Sequence, residues 1–282
     1  MPSTWERQGY GVPLYVNYTY PFKVDPPRVM GEPPREYTTF AQRNPVGSYR
    51  RTFEVPADWA GRRIVLHFAG VSSAFFVWVN GERVGYSEDS RVPAEFDVTP
   101  FVRGGENLLA VEVYKYCDGS YLEDQDFWRL GGLFSDVFLR AVPEVALWDV
   151  YAQPVLDAAL AHGAVVLHVT PANFTARAAS GLTTALTLLD PRGRRVGAVR
   201  EQKLDDVAPG FGDERRFPAV DYGAVALWSD EEPAVYTAIV ELRRGRTTLE
   251  AHALPVGFRR LEIRGPALAM NCLLYTSDAA DE

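Results

Sequence analysis

Short runs of β-branched and aromatic residues, separated by turn-forming Gly, Pro, Asn and Asp, make up most of this chain. Residues 48–55, 64–68 and 74–79 have the composition of strands, and residues 108–114 alternate between inward and outward side chains. Helical periodicity is not sustained along the chain. Because strands of this kind bury one face and expose the other, the pattern predicts antiparallel sheets packed as sandwiches.

Two turn sequences indicate where strands reverse direction. Asn80-Gly81 lies between two apolar runs, and both residue types tolerate the positive φ angles of a type I′ hairpin turn. Asp190-Pro-Arg-Gly separates the strands predicted at residues 182–189 and 196–199. We therefore predict a β-hairpin at each site.

The pattern changes near Pro143, where a strand ending at residue 140 gives way to a new series of strands. We predict one sandwich over residues 1–143 and a second, immunoglobulin-like sandwich of about seven strands over residues 144–258. Residues 259–271 are expected to lead into a further unit, beginning with a strand at residues 267–271.

The last stretch, residues 272–282, lacks periodicity and turn residues that would link it to the preceding chain. It reads Cys-Leu-Leu-Tyr-Thr-Ser-Asp-Ala-Ala-Asp-Glu, which matches the translation of a transposase-type sequencing adapter. Segments of such origin are set aside when a fold is predicted. We expect this stretch to be an artefact; the alternative is a genuine disordered tail.

Charge and cysteine usage narrow the possible partners. A net charge of −8 argues against nucleic acid and anionic membrane surfaces, which both require a positive field. The sequence shows neither a long apolar run nor a secretory signal at its start, so no membrane partner is expected. With two cysteines, the sequence predicts neither a disulfide framework nor a zinc site, and a cytoplasmic location is expected.

Acidic and aromatic side chains are concentrated in residues 118–129, hereafter the acidic segment. Its members of these two kinds are Asp118, Tyr121, Glu123, Asp124, Asp126, Phe127 and Trp128. Such a set suits a sugar, whose hydroxyls bind charged acceptors while its C–H faces stack on aromatic rings. It also suits a hard cation. The alternative is a solvated acidic loop whose aromatic rings point into the core.

The acidic segment, which reads Asp-Gly-Ser-Tyr-Leu-Glu-Asp-Gln-Asp-Phe-Trp-Arg, closely resembles a run of the family 2 glycoside hydrolases of β-galactosidase type. Further matching motifs occur in the same order at residues 15–21, 71–81, 85–97 and 256–259, and the similarity spans residues 1–271. The resemblance implies a sugar-binding jelly roll lacking its first strands, then an immunoglobulin-like domain. A (β/α)8 catalytic barrel would follow.

The resemblance implies roles at two positions, Asn17 and Asp126, both expected to bind galactosyl hydroxyls. It also implies that Asp126 contributes to a sodium site, and that the full-length parent uses Na⁺ and Mg²⁺, while the fragment holds no cofactor of its own. The alternative for Asn17 is a turn residue that bonds its own backbone. The remaining carboxylates are expected to shape the loop, with Arg129 neutralising one of them.

Retaining glycoside hydrolysis requires one carboxyl group as acid/base and another as nucleophile, about 5–5.5 Å apart. By resemblance both come from the barrel, so this fragment is expected to be inactive. Glu123 and Asp126 are rejected as a catalytic pair, because one exposed loop offers no source of opposed pKa values.

Three hypotheses follow: a piece of a β-galactosidase, which is preferred, a stand-alone carbohydrate-binding module, or an assembly fragment without activity. The first implies a β-galactoside as substrate and a parent that forms a homo-oligomer.

Overall fold

The computed structural model describes residues 2–17, 20–30 and 44–274 of the 282-residue chain. Within this part the chain is almost entirely β-structure, which confirms the predicted fold class. Short 3₁₀ helices lie at Glu6–Gln8, Ala57–Trp59 and Asp118–Tyr121. The chain divides into two compact units, Met1–Val142 and Pro143–Glu282.

The first unit is a sandwich of two antiparallel sheets. Its strands are β1 (Leu14–Val16), β2 (Val46–Val55), β3 (Arg63–Phe68), β4 (Ala74–Val79), β5 (Glu82–Glu88), β6 (Ala94–Asp97), β7 (Gly105–Tyr114), β8 (Phe127–Arg129) and β9 (Val137–Val142). One sheet has the order β2-β7-β4-β5 and the other β6-β3-β9, while β1 and β8 form a separate two-stranded ribbon. Alternate positions of β3, β4 and β7 supply the core, including the fully buried Phe68, Val77 and Val113.

The hairpin predicted at Asn80-Gly81 joins β4 to β5 and is confirmed. Both residues have positive φ angles, 52° and 89°, as a type I′ turn requires. The Asn80 side chain also donates to the backbone oxygen of Phe101 and to the side chain of Asn107, at 2.9 and 2.8 Å. These contacts tie the turn to the neighbouring chain and fix the register of the hairpin.

The second unit is also a two-sheet sandwich, followed by a small sheet. Its strands are β10 (Val145–Leu156), β11 (His162–Asn173), β12 (Leu182–Leu189), β13 (Arg195–Lys203), β14 (Gly210–Phe211), β15 (Arg215–Arg216), β16 (Val220–Ala224), β17 (Tyr236–Arg244), β18 (Thr247–Val256), β19 (Leu261–Arg264), β20 (Ala267–Met270) and β21 (Leu273–Leu274). Three short strands, β14, β15 and β16, pair along β11, which also pairs with β10, and the second sheet has the order β13-β12-β17-β18. Leu182, Leu188, Leu242 and Phe258 are buried between them.

The sequence pattern correctly predicts one hairpin of the second unit and misses one of its long strands. The hairpin at Asp190 is confirmed, because its backbone N–H donates to Arg194 at 2.8 Å and the turn joins β12 to β13. Strand β18 is absent from the strands predicted by pattern. Its side chains are mostly half-buried or exposed, so the apolar signal of an inward face is weak.

The strand predicted at residues 267–271 is present as β20, which ends one residue earlier at Met270 and pairs antiparallel with β19. Asn271 and Cys272 adopt positive φ angles of 50° and 71°, and the chain reverses there so that β21 pairs with β20. Of the expected artefact, residues 275–282 lie outside the described residues.

Within the part of the chain that the structure describes, no helix is long and apolar enough to span a membrane.

Candidate functional site

Strands β1 and β8 bring the two predicted sugar-binding residues to one end of the same ribbon. The register pairs Tyr15 with Trp128 and Val16 with Phe127. Asn17 directly follows Val16 and Asp126 directly precedes Phe127, so both residues lie at the same end of the ribbon, in the bends that flank the paired strands. Of the predicted Asn17 motif, which spans residues 17–21, Tyr18 and Thr19 lie outside the described residues.

Alternation along the ribbon separates a buried face from an exposed one. Val16 is buried, whereas Tyr15 and Trp128 are 49% and 56% exposed. Asn17 and Asp126, in the bends beside these strands, are exposed as well, and the Tyr15 hydroxyl reaches Asp126. We call these four residues the ribbon face. It joins an amide and a carboxylate to two aromatic rings, on a surface open to solvent.

Contacts within the ribbon face connect its aromatic and acidic members. The Tyr15 hydroxyl donates a hydrogen bond to Oδ1 of Asp126. The Tyr15 and Trp128 rings lie 5.7 Å apart between centroids, at an interplanar angle of 57°. The hydrogen bond to Asp126 raises the pKa of Tyr15, because ionising the phenol would place two negative charges side by side.

Two other carboxylates of the acidic segment, Glu123 and Asp124, are directed inward. Glu123 accepts hydrogen bonds from the backbone N–H and the hydroxyl of Ser90, both at 2.7 Å. Ser90 is buried, so these bonds satisfy polar groups that have little access to water. Glu123 therefore ties the acidic segment to the loop after β5, the loop-shaping role expected for it.

Arg129 was expected to neutralise one carboxylate of the acidic segment, and the structure pairs it with Asp124. The guanidinium forms an ion pair with Asp124 and donates to the backbone oxygen of Gln125 at 3.1 Å. It lies over the Phe127 ring, 4.2 Å from its centroid, and the residue is 8% exposed. This arrangement closes the acidic segment on itself from the inner side.

Tyr121 fastens the beginning of the segment to the chain near residue 25. Its hydroxyl donates to the backbone oxygen of Arg28 at 2.7 Å and accepts from the backbone N–H of Asp25 at 3.0 Å. Its ring packs against Phe22 with centroids 5.1 Å apart. The alternative hypothesis, in which the aromatic rings point into the core, thus describes Tyr121, while Trp128 faces solvent.

The first unit also has a concave region of about 560 Å³ beside the acidic segment. Its wall includes Lys115, Glu123 and Arg129 together with several serine hydroxyls. The Lys115 ammonium pairs with Glu6 at 2.6 Å, and both side chains are almost fully buried. The charges of Lys115, Glu123 and Arg129 are therefore engaged within the protein, whereas Arg91 in the same wall is exposed and lies over the Phe127 and Phe134 rings.

Asp126 is the predicted sodium ligand. Asp126 offers one carboxylate to a hard cation, which on its own makes a weak site. Among the described residues, ligand atoms of Glu88, Cys117 and Asp118 lie within 4.8 Å of one another, a group that does not include Asp126. Burial raises the pKa of the Cys117 thiol, and a protonated thiol is a poor partner for a hard cation.

Sequence reasoning missed Tyr15, which the structure places against Asp126. The signal for it was present: Tyr15 precedes Asn17 by two residues, and Trp128 follows Asp126 by two, so two short strands would align all four on one face. Recognising it required the pairing of β1 with β8, which are more than a hundred residues apart in the sequence.

Comparison with protein-family models assigns both units. Residues 1–143 match the model described as "Glycosyl hydrolases family 2, sugar binding domain". Residues 145–259 match the model described as "Glycosyl hydrolases family 2". The two matches together cover most of the chain.

Curated relatives are longer proteins. The chain is 38% identical over 273 residues to a beta-galactosidase of Priestia megaterium, a match that covers 96% of this chain and 25% of the relative. It is 41% identical over 286 residues to a beta-galactosidase of Aeromonas hydrophila, covering 96% of this chain and 26% of that protein. The chain thus spans about a quarter of the length of these relatives.

Solved structures support the fold. A glycosyl hydrolase family 2 member from Bacteroides cellulosilyticus superposes with a TM-score of 0.71 at 21% identity, over 81% of this chain and 31% of that chain. A beta-glucuronidase from Bacteroides uniformis gives 0.70 at 22% identity, over 82% and 28%. At such identities the likeness concerns the fold.

Proposed function

Because this chain belongs to the glycosyl hydrolases of family 2, we propose that it is part of a β-galactosidase that hydrolyses terminal non-reducing β-D-galactose residues, such as that of lactose, with retention of configuration. Support for the galactoside comes from curated relatives at 38–41% identity that are beta-galactosidases. Since the chain spans a quarter of their length, the activity belongs to the whole protein rather than to this part.

Within that protein, we assign the ribbon face as one wall of the galactose subsite. The observation that carries this assignment is the pairing of β1 with β8, which brings Asn17 and Asp126, both exposed, to the same end of one ribbon. A carboxylate accepts hydrogen bonds from sugar hydroxyls, an amide both donates and accepts, and neighbouring aromatic rings suit C–H faces. The four residues supply each of these groups on one surface.

The two catalytic carboxyl groups are proposed to come from the remaining part of the protein. Glu123 is engaged by Ser90 and Asp124 by Arg129, so both act in shaping the loop. Asp126 alone cannot serve as acid/base and nucleophile at once. We therefore expect no hydrolysis of a chromogenic β-galactoside by the isolated chain, and turnover that survives repurification would contradict this part of the proposal.

Galactose titration separates the proposal from a stand-alone binding module. We expect negligible binding to the isolated chain, because one wall of a subsite provides few of the required contacts. Calorimetric titration up to high galactose concentration measures this directly. A dissociation constant of about 1 mM or tighter, about −4.1 kcal/mol, would favour the binding-module hypothesis instead.

The central test uses the full-length enzyme that carries this segment. Asp126→Asn should lower kcat/KM for a β-galactoside by about 100-fold, the size expected when a charged hydrogen-bond acceptor for substrate is lost. Asn17→Ala should lower it about 10-fold. As a control, Asp149→Asn changes an exposed aspartate of the second unit and should leave the kinetics unaltered. Unchanged kinetics in Asp126→Asn would refute the subsite assignment.

Three further features are proposed for the whole protein. Asp126 would provide one oxygen ligand to a sodium ion, and the rest of the sodium shell and a Mg²⁺ site would lie mainly in the remaining chain. The parent is proposed to be a cytoplasmic homo-oligomer. Light scattering of the full-length protein tests the assembly, and a monomer would contradict it; a discrete tetramer of this chain alone would favour the assembly-fragment hypothesis.

A further inference from the structure

Asp126 lies on the exposed side of the chain, just before β8 begins, so its side chain has several rotamers open to it. A carboxylate that recognises a particular sugar hydroxyl must hold one orientation before the sugar arrives, since ordering it on binding costs affinity. The Tyr15 hydroxyl supplies a restraint by donating to Oδ1 of Asp126.

Tyr15 is itself well placed to act as a fixed donor. Its backbone pairs with Trp128 in the β1–β8 register, and the next residue, Val16, is buried at 3% exposure. Its ring packs against that of Trp128. A tyrosine has two side-chain torsions, so strand pairing and ring packing together leave its hydroxyl little freedom.

The direction of the contact is also informative. The backbone of Tyr15 pairs with Trp128, whereas its hydroxyl reaches diagonally across the ribbon to Asp126, two residues before Trp128. Diagonal neighbours on one face of an antiparallel pair lie within reach of an aromatic side chain. The hydroxyl occupies Oδ1, which leaves the second oxygen, Oδ2, able to accept from another donor.

We propose that Tyr15 is the positioning residue of the galactose subsite, holding the Asp126 carboxylate in the orientation that binds a sugar hydroxyl through Oδ2. This inference rests on the proposed function, because it assumes that Asp126 contacts galactose. Tyr15 acts through Asp126 rather than on the sugar itself. Removing its hydroxyl should therefore matter only while Asp126 is present.

A matched control exists in the same unit. Tyr114 in β7 donates to Glu112 at 2.6 Å, so it forms the same kind of tyrosine–carboxylate pair. It lies on a different sheet from β1 and β8. Tyr114→Phe removes a hydroxyl of equal chemistry without touching the ribbon face.

The test is a double-mutant cycle in the full-length enzyme. Tyr15→Phe should lower kcat/KM about 10-fold, in line with a hydrogen bond to a charged group, while Tyr114→Phe should have no effect. The double variant Tyr15→Phe with Asp126→Asn should match Asp126→Asn alone, because a residue that acts through Asp126 has nothing left to position. Thermal unfolding of each variant checks that the fold is retained.

The outcomes separate the two proposals. If Asp126→Asn impairs the enzyme but Tyr15→Phe does not, or if the two effects simply multiply, the positioning role is wrong and the subsite assignment stands. If Asp126→Asn has no effect, the subsite assignment itself fails. Matching kinetics of the double and single variants support the positioning role.

Discussion

Glu123 and Asp124 have an environment opposite to that of Asp126, although all three belong to the acidic segment. Glu123 is bonded to the buried Ser90 and Asp124 to the buried Arg129. Asp126 is exposed on the ribbon face, as is Trp128. Similar carboxylates thus serve the fold at two positions and remain accessible to a ligand at the third.

This difference shows that the role of an acid is decided by its partners rather than by its neighbours in sequence. Carboxylates bonded to buried donors stabilise the loop and are unavailable to substrate. The exposed carboxylate contributes little to folding, because water solvates it nearly as well as the protein does. Substitution of Glu123, of Asp124 or of the residues that bind them should therefore reduce stability. Substitution of Asp126 should reduce function.

The largest effect on stability is expected from Arg129→Leu. It leaves Asp124 without its guanidinium in a mostly buried setting and should cost about 3 kcal/mol in the free energy of unfolding. The control is Arg194→Leu, which breaks a pair with Asp190 whose arginine side chain is 70% exposed. Urea denaturation compares the two, and equal effects would mean that burial does not distinguish them.

Glu123→Ala should follow, with a loss of about 2 kcal/mol, because the N–H and hydroxyl of Ser90 lose their charged acceptor. The same denaturation experiment measures it. Adding Ser90→Ala should recover part of the loss, since one of the stranded donors is then absent. A fully additive double variant would argue that the two residues do not interact.

A smaller, pH-dependent effect is expected from Tyr116, which packs beside the first half of the segment. Burial raises its pKa well above 10 in the folded chain. Above pH 10 the unfolded chain releases this proton while the folded chain retains it, so stability falls as pH rises, by up to about 1.4 kcal/mol per pH unit. Tyr116→Phe should reduce this slope, to which Tyr86 and Tyr222 also contribute because burial raises their pKa values, and should leave the slope below pH 9 unaltered. A slope equal to that of wild type in the variant would exclude Tyr116 as a source.

The smallest effect on stability is expected from Asp126→Asn, within about 0.5 kcal/mol of wild type. Its carboxylate is exposed, and its hydrogen bond comes from a half-exposed tyrosine. Denaturation of this variant beside Glu123→Ala tests the comparison at its sharpest. A loss of stability equal to that of Glu123→Ala would show that Asp126 stabilises the fold as Glu123 and Asp124 do.

Much of the fold followed from local pattern. Alternation identified β12 with its full range, and Asn80-Gly81 and Asp190 marked their hairpins, because side-chain period and turn geometry are local properties. Strands such as β1 and β8 were harder to find. With three residues each they carry little periodicity, and they exist because they pair with each other across the first unit.

For the candidate site, the sequence by itself determined which residues to examine, Asn17 and Asp126, and that acids and aromatics are concentrated around them. It also determined the all-β class, through residue types whose preferences act over a few positions. The tertiary structure alone decided that Asn17 and Asp126 lie at the same end of the β1–β8 ribbon, that the Tyr15 hydroxyl donates to Asp126, and that Glu123 and Asp124 face inward. These are long-range contacts, and a sequence pattern records which face a residue prefers but not which distant strand completes that face.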